Sequence, residues 1–497
     1  MKKYYFSLIL LFLILPISCN NPSVNKGSFK DESIVFFNNL RSKSESFKKE
    51  NKIKGMAIAL FTNDSVIWKE SFGTSTYSFK INSATLFSLQ SVSKNFTALA
   101  VLMAVRDGLL DLDKPIIEYL PDFKVNSCFE KDPEKKITLR LLLSHTAGFT
   151  HEASVGNSYD LTFKTYSDHL ESIKNSWLKS LVGSEYSYSN LGFDLAAQVI
   201  EKVSGMRFCE YLDKNIFGPL QMLSSTADDS KFNNNDNRTE GTIAYVQTKH
   251  YPIPLIGSGA VYSNVDDLIK YVMFHLNFGK SGQSTLIDKE LLSKMYLINK
   301  NNYGLGTYIN KDNDSYYFNH NGGGLGYGSS ILWFPEYKTG CVVLGNKPAN
   351  YYSLASAIIK DYILKEGLTG KKDTVFTKRL NPFINVLTGN FTGSHKINIL
   401  LKDSVYKSDW EKYCGKYKTI TGGMDLKWYA KFGKKLGFYS SEVIVFNTGS
   451  ELWMKGSFGK SKLRQYLPGL FFNDSGEALD LRYNPATFRN IALKSRR

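Results

Sequence analysis

The sequence reads as an α+β protein, an antiparallel sheet with helices on and beside it, followed by a small all-β domain. Three observations carry this. Strand-length apolar runs stand near residues 56–72 and return at 316–344. Helix-spaced apolar residues fill the stretch between them. After residue 410, short apolar runs alternate with turn residues, and the helical spacing is lost.

The chain has 497 residues, 42% of them hydrophobic, enough for more than one packed core. Met1-Lys2-Lys3 is a short basic start, and residues 4–15 form an apolar run too short to span a bilayer comfortably. The run ends in Pro16-Ile17-Ser18-Cys19, then polar Asn20-Asn21. This resembles a bacterial lipoprotein signal (residues 1–19), cut before Cys19 so that its thiol carries the lipid. That pattern implies a lipid anchor on Cys19, in the bacterial cell envelope and facing the periplasm. Pro16 stands where the pattern prefers leucine, and a simple secretory signal is the alternative. Residues 20–31 then serve as a tether.

The first domain is expected over residues 32–366. Residues 31–49 have helical spacing. Residues 56–61 and 66–72, divided by Asn63-Asp64, read as a β-hairpin. Helices are expected after Ser91, at 139–143 and at 190–203. Another opens at Ser263-Asn264-Val265-Asp266, with Ser263 as its cap. Strands are expected at 316–319, 330–334 and 341–344, and a helix at 356–364 closes the domain. Strands at both ends of a helical middle imply one antiparallel sheet built from both ends.

Residues 367–409 read as a linker with a candidate strand at 397–401. Residues 410–497 read as a small β-barrel or sandwich. Its expected strands are 425–432, 436–439, 443–446, 452–455, 469–472 and 478–481. Its turns include Asn447-Thr448-Gly449 and Asn473-Asp474-Ser475-Gly476.

The formal net charge is +16, but the basic residues are scattered and form no nucleic-acid motif. A solvated basic surface is the plain reading; an anionic lipid or cell-wall polymer is the alternative. Cys128, Cys209, Cys341 and Cys414 lack metal-ligand spacing and read as isolated thiols. No metal or organic cofactor is implied, and the sequence leaves the oligomeric state open.

Ser91-Val92-Ser93-Lys94 lies where an apolar stretch gives way to a helix. Three residues is about one helical turn, so Ser91 and Lys94 share a face. A hydroxyl needs a base before it is a good nucleophile, and Lys94 can be that base. Alone, Ser-x-x-Lys is common on exposed helices. Tyr188-Ser189-Asn190, at another helix start, aims a phenol and an amide the same way. The phenol can move a proton if nearby cations lower its pKa, and the amide can orient a substrate carbonyl. His320-Asn321-Gly322-Gly323 ends a strand. There His320 can hydrogen-bond or bear charge beside substrate, while Gly322 and Gly323 let backbone come close. The glycines of residues 322–328 precede a strand rather than a helix, which rules out a dinucleotide loop. Ser144-His145-Thr146-Ala147-Gly148 reads as structural.

The order Ser-x-x-Lys, Tyr-x-Asn, His-x-Gly resembles class C β-lactamases and their penicillin-binding relatives, the DD-peptidases, D-aminopeptidases and esterases. The Ser-His-Thr-Ala-Gly box and the phrase at residues 216–222 agree, and the resemblance runs from about residue 52 to about 364. It implies a β-lactamase/transpeptidase-like fold in which Ser91 is acylated and Lys94 and Tyr188 move protons. It also implies that Asn190 contacts substrate, that His320 and Gly322 form the third motif, and that the amides of Ser91 and Gly323 form an oxyanion hole. The implied activity is acyl-enzyme hydrolysis of an amide or ester: a cell-wall D-amino-acid peptide, a β-lactam or a small ester. The alternative is a lipid-tethered penicillin-binding or cell-wall-binding protein with little turnover. His320 departs from the Lys-Thr-Gly usual in β-lactamases and carries less dependable charge at neutral pH. Lys338-Thr339-Gly340 spells that motif but falls in a hairpin turn one strand too late.

Overall fold

The computed structural model describes residues 26–75, 79–156, 165–243, 246–248, 250, 252, 254–312, 315–368, 407–419, 442–456, 459–482, 486–488 and 491–496. The signal with Cys19, most of the tether, the body of the linker and the strands expected at 397–401, 425–432 and 436–439 lie outside them. The chain divides into two units, Met1–Lys43 and Ser44–Arg497. The described part of the first is the start of helix α1 (Lys26–Glu50). Everything below concerns the second.

Its main sheet has six strands: β1 (Gly55–Thr62), β2 (Val66–Gly73), β3 (Tyr308–Asp312), β4 (Ser315–Gly324), β5 (Tyr327–Phe334) and β6 (Thr339–Gly345). Their order is β2-β1-β6-β5-β4-β3, and neighbouring strands pair antiparallel. The expected hairpins are present, and the first and last parts of the domain meet where Ile58 pairs with Val343. The edge strand β3, Tyr-Ile-Asn-Lys-Asp, was not anticipated, because its polar residues break any apolar run. Strands β1, β5 and β6 are buried on both faces, and accordingly they read as apolar runs without polar alternation.

The helices used below are α2 (Ser93–Arg106), α3 (Leu139–Leu143), α4 (Tyr166–Lys174), α5 (Asn190–Ser204), α6 (Val265–Leu276) and α7 (Tyr351–Lys365). Ala57, Ala59, Phe61, Ile331, Trp333, Val342 and Leu344 join the large core that includes α2, α5 and α6. On the other parity of the sheet, Gly328 and Gly345 leave room for Tyr351 of α7. Helix α2 is not amphipathic. Every residue from Ser93 to Ala104 is buried, so the expected stripe of Phe96, Leu99, Leu102 and Met103 understates its burial. Phe96 stacks on Tyr271 of α6, with ring centroids 3.9 Å apart. The cap of α6 is Asn264, whose side chain accepts from the Asp267 amide, and not Ser263 as expected. Ser263 instead pairs with Phe87 in a two-stranded ribbon.

The C-terminal region is a closed barrel of eight antiparallel strands in sequence order, β7 (Gly415–Thr419), β8 (Glu442–Asn447), β9 (Leu452–Gly456), β10 (Gly459–Leu467), β11 (Leu470–Asn473), β12 (Ala478–Asp480), β13 (Ala486–Phe488) and β14 (Ile491–Arg496). Closure joins β7 to β14, so these two strands leave no open edge. Tyr417, Val443, Val445, Leu452, Met454, Leu463, Phe471 and Leu479 fill its core beside Trp410. Trp410 Nε1 donates to Gln465 Oε1 across 2.7 Å inside it. The barrel packs beside the first domain. Phe472 meets Trp177 and Phe129 edge-on, and the turn at Gly476 lies against the Lys179 carbonyl.

Candidate active site

Ser91 sits one step before α2 proper, in a 3-10 turn over Gln90–Val92. Gln90 has φ 51°, the left-handed region that non-glycine residues seldom adopt. Three contacts hold this turn. Leu89 N donates to Val261 O at 2.9 Å, Ser329 Oγ donates to Leu89 O at 2.6 Å, and Gln90 Nε2 donates to Ser88 Oγ at 2.8 Å. Gly322 on β4 abuts the same turn. A Cβ there would fall 2.0 Å from Leu89 O, so only glycine allows this approach, whereas a Cβ on Gly323 would meet open space. The close approach expected of the His320 motif is therefore made by Gly322, and Gly323 is the exposed residue.

Lys94 Nζ is fully buried, and three oxygens surround it: Ser91 Oγ at 3.2 Å, Asn190 Oδ1 at 2.7 Å and Ser258 O at 2.9 Å. Two of these, the amide and peptide carbonyl oxygens, can only accept. A neutral amine has two N–H bonds and one lone pair, so satisfying both carbonyls turns the lone pair to Ser91. Burial pulls the Lys94 pKa down from 10.5 to about 7, against the opposing pull of Asp194 and Glu152.

Tyr188 hydrogen-bonds Ser91, and its ring centroid lies 5.0 Å from Lys94 Nζ. Its phenol pKa is not lowered, the condition the sequence reading set for moving a proton. Burial raises it, and the bond to Ser91 offsets only part of that. Tyr188 thus keeps its proton at neutral pH. His145 supports it from both sides. Its carbonyl accepts from Ser187 N at 2.7 Å, its Nδ1 accepts from Ser189 N at 3.0 Å, and its ring lies 4.2 Å from the Tyr188 ring. The Ser-His-Thr-Ala-Gly box is therefore structural, as read from sequence, but it builds the site.

Asn190 opens α5 and turns its Oδ1 to Lys94, so that oxygen orients the amine. His320 hydrogen-bonds, one of the two roles read from the sequence. It is fully buried: its Nδ1 donates to Asn321 O at 3.0 Å, and its Nε2 lies 2.9 Å from Tyr303 OH. Burial, aided by the Lys94 charge, holds its pKa at about 3, so it bears no charge beside substrate at neutral pH. Lys338-Thr339-Gly340 lies where expected, in the turn into β6, with Gly340 packed on Phe61 and Val272.

Sequence reading missed Asp194, Ser258, Glu152 and Tyr303. Only Asp194 left a signal, at four residues from Asn190 and so on the same face of α5. Among the described residues no group of His, Cys, Asp and Glu could hold a metal ion, and no helix is long and apolar enough to cross a membrane. Cys128, Cys209, Cys341 and Cys414 are free thiols.

A six-stranded antiparallel sheet with helices on it, and a serine–lysine pair at the head of a buried helix, define a β-lactamase/transpeptidase-like protein. A family profile described as Beta-lactamase matches residues 40–360, and the chain belongs to that family. It is 25% identical over 307 residues to Protein flp of Staphylococcus aureus strain MW2, covering 60% of this chain and 61% of that one. It is 27% identical over 376 residues to β-lactamase-like protein 4 of Dictyostelium discoideum, covering 68% of this chain and 65% of the relative. The chain thus spans less than two thirds of the length of these relatives. The octameric penicillin-binding protein homologue of Pyrococcus abyssi shares the fold with a TM-score of 0.55 at 20% identity, over 91% of this chain and 95% of that structure.

Proposed function

We propose that the protein is a serine hydrolase that passes the acyl group of an amide or ester through Ser91. The observation that carries this is the setting of Lys94: a desolvated amine whose two carbonyl acceptors leave its lone pair for the Ser91 hydroxyl. In the reaction Lys94 takes the Ser91 proton as Oγ bonds to the substrate carbonyl carbon. The oxyanion that forms is stabilised by the Ser91 and Gly323 amides. Tyr188 gives its proton to the leaving nitrogen or oxygen as that bond breaks, and recovers one from the Lys94 ammonium. Water then attacks the acyl-enzyme by the reverse relay and regenerates Ser91.

The neutral, buried His320 favours a small ester or a D-amino-acid amide, which lack a carboxylate beside the scissile bond, over efficient β-lactam turnover, because the His320 ring offers a β-lactam carboxylate no charge. Labelling by a fluorescent fluorophosphonate and a fluorescent penicillin tests the assignment. Wild type should be labelled and Ser91→Ala should not; equal labelling of the two refutes it.

A further inference from the structure

Asp194 follows Asn190 by four residues, so one face of α5 carries both. Asn190 touches Lys94 directly. Asp194 reaches it through backbone. Its Oδ1 accepts from Gly257 N at 3.0 Å and Ser258 N at 2.9 Å, and its Oδ2 accepts from Ser258 Oγ at 3.1 Å. The carbonyl of the same Ser258 accepts from Lys94 Nζ. Gly257 is pressed on α5, where a Cβ would lie 2.2 Å from Phe193 O, so this loop has one seat.

The fourth acceptor position of Asp194 takes His169 Nε2 at 3.0 Å, with both side chains wholly buried. His169 Nδ1 lies 2.7 Å from Val155 O, and a carbonyl can only accept. Both ring nitrogens therefore donate, and His169 is an imidazolium. Burial opposes that charge, but the bond to Asp194 and the Val155 carbonyl keep its pKa above the usual histidine value. A buried cation and carboxylate thus lie behind the lysine.

We propose that Asp194 is a positioning residue for Lys94: it seats the Gly257–Ser258 backbone that receives the amine, and its charge, balanced by His169, sets the field the amine sits in. The inference rests on Lys94 being the base. Other groups also face the amine: the Glu152 carboxylate, the Tyr188 phenol, and the neutral rings of His145 and His320. Exposed His151 stacks on Tyr188. Tyr166 of α4 donates to Asp194 O, and Glu201 lies further along α5. None of these replaces Asp194, which alone among them seats the carbonyl that Lys94 bonds.

The test is an NMR titration of the Lys94 side chain in lysine-labelled protein, its signal identified by its loss in Lys94→Met. Ser91 acylation by a fluorophosphonate is followed over the same pH range. In Asp194→Asn the Lys94 midpoint should fall from about 7 by roughly half a unit or more, and the acid limb of acylation should fall with it. Loosening of the site would instead move the midpoint up toward the solvated value of 10.5. A midpoint that stays or rises overturns the inference. A falling midpoint without any acylation in wild type upholds it and refutes the hydrolase reading instead. If Asp194→Asn does not fold, His169→Gln serves. Loss of the balancing cation should raise the midpoint while acylation above it keeps the wild-type rate; a fixed or falling midpoint, or a rise with acylation lost as loosening would have it, overturns the inference.

Discussion

Acidification from pH 8 to pH 6 should slow acylation of Ser91 about tenfold. With the Lys94 pKa near 7, roughly 90% of the amine is neutral at pH 8 and roughly 10% at pH 6. The active base is the unprotonated form, so the rate rises with pH and levels off above about 8. His320, at about 3, and Tyr188, raised by burial, do not titrate in this window. A His151→Gln background removes the exposed imidazole that stacks on Tyr188. The same shift has a cost in stability. Between about pH 7 and 10.5 the unfolded chain binds more protons at this position than the folded one, so stability rises with pH across that window. Below it the full penalty stands, about 5 kcal/mol as an upper bound. Lys94→Met should therefore lower acylation by about 100-fold or more while the melting temperature at pH 7 holds or rises. The assay is the second-order rate constant for fluorophosphonate labelling from pH 5.5 to 9, with thermal unfolding in parallel. A flat profile between pH 6 and 8, or a Lys94→Met variant retaining a tenth of the rate, refutes the reasoning.

Tyr188→Phe keeps the ring packed against His145 but removes the proton. It should cut turnover of amides by roughly 100- to 10,000-fold with little change in melting temperature, and an unchanged turnover number for amides would count against the relay. Gly476→Ala should loosen the barrel's seat. Its Cβ would lie 1.9 Å from Lys179 O at a φ of 74°, costing about 2–3 kcal/mol and a few degrees in thermal unfolding; an unaltered melting curve would show that this turn does not bear on that carbonyl.

Several features were legible because they depend on spacing along the chain. Ser91 and Lys94 are one turn apart whatever packs around them, and the hairpin at residues 55–73 follows from two apolar runs and a polar turn. The barrel strand β10, Gly-Lys-Ser-Lys-Leu-Arg-Gln-Tyr-Leu, was not anticipated. Its charges obscure an alternation that burial of Leu463 and Gln465 makes plain.

Protonation states lay beyond the sequence, because they depend on desolvation and on partners distant along the chain. His320 reads as a group able to hydrogen-bond or to carry charge, and burial, aided by the Lys94 charge, keeps it neutral. Tyr188 reads as a phenol whose pKa nearby cations can lower, but burial raises it. Lys94 becomes a base near neutral pH only because the fold buries it between Asn190 and the Ser258 carbonyl, 96 and 164 residues away. Local spacing selects the nucleophile and its lysine. Long-range packing, which strips water from the amine and supplies its acceptors, determines which of them holds the proton.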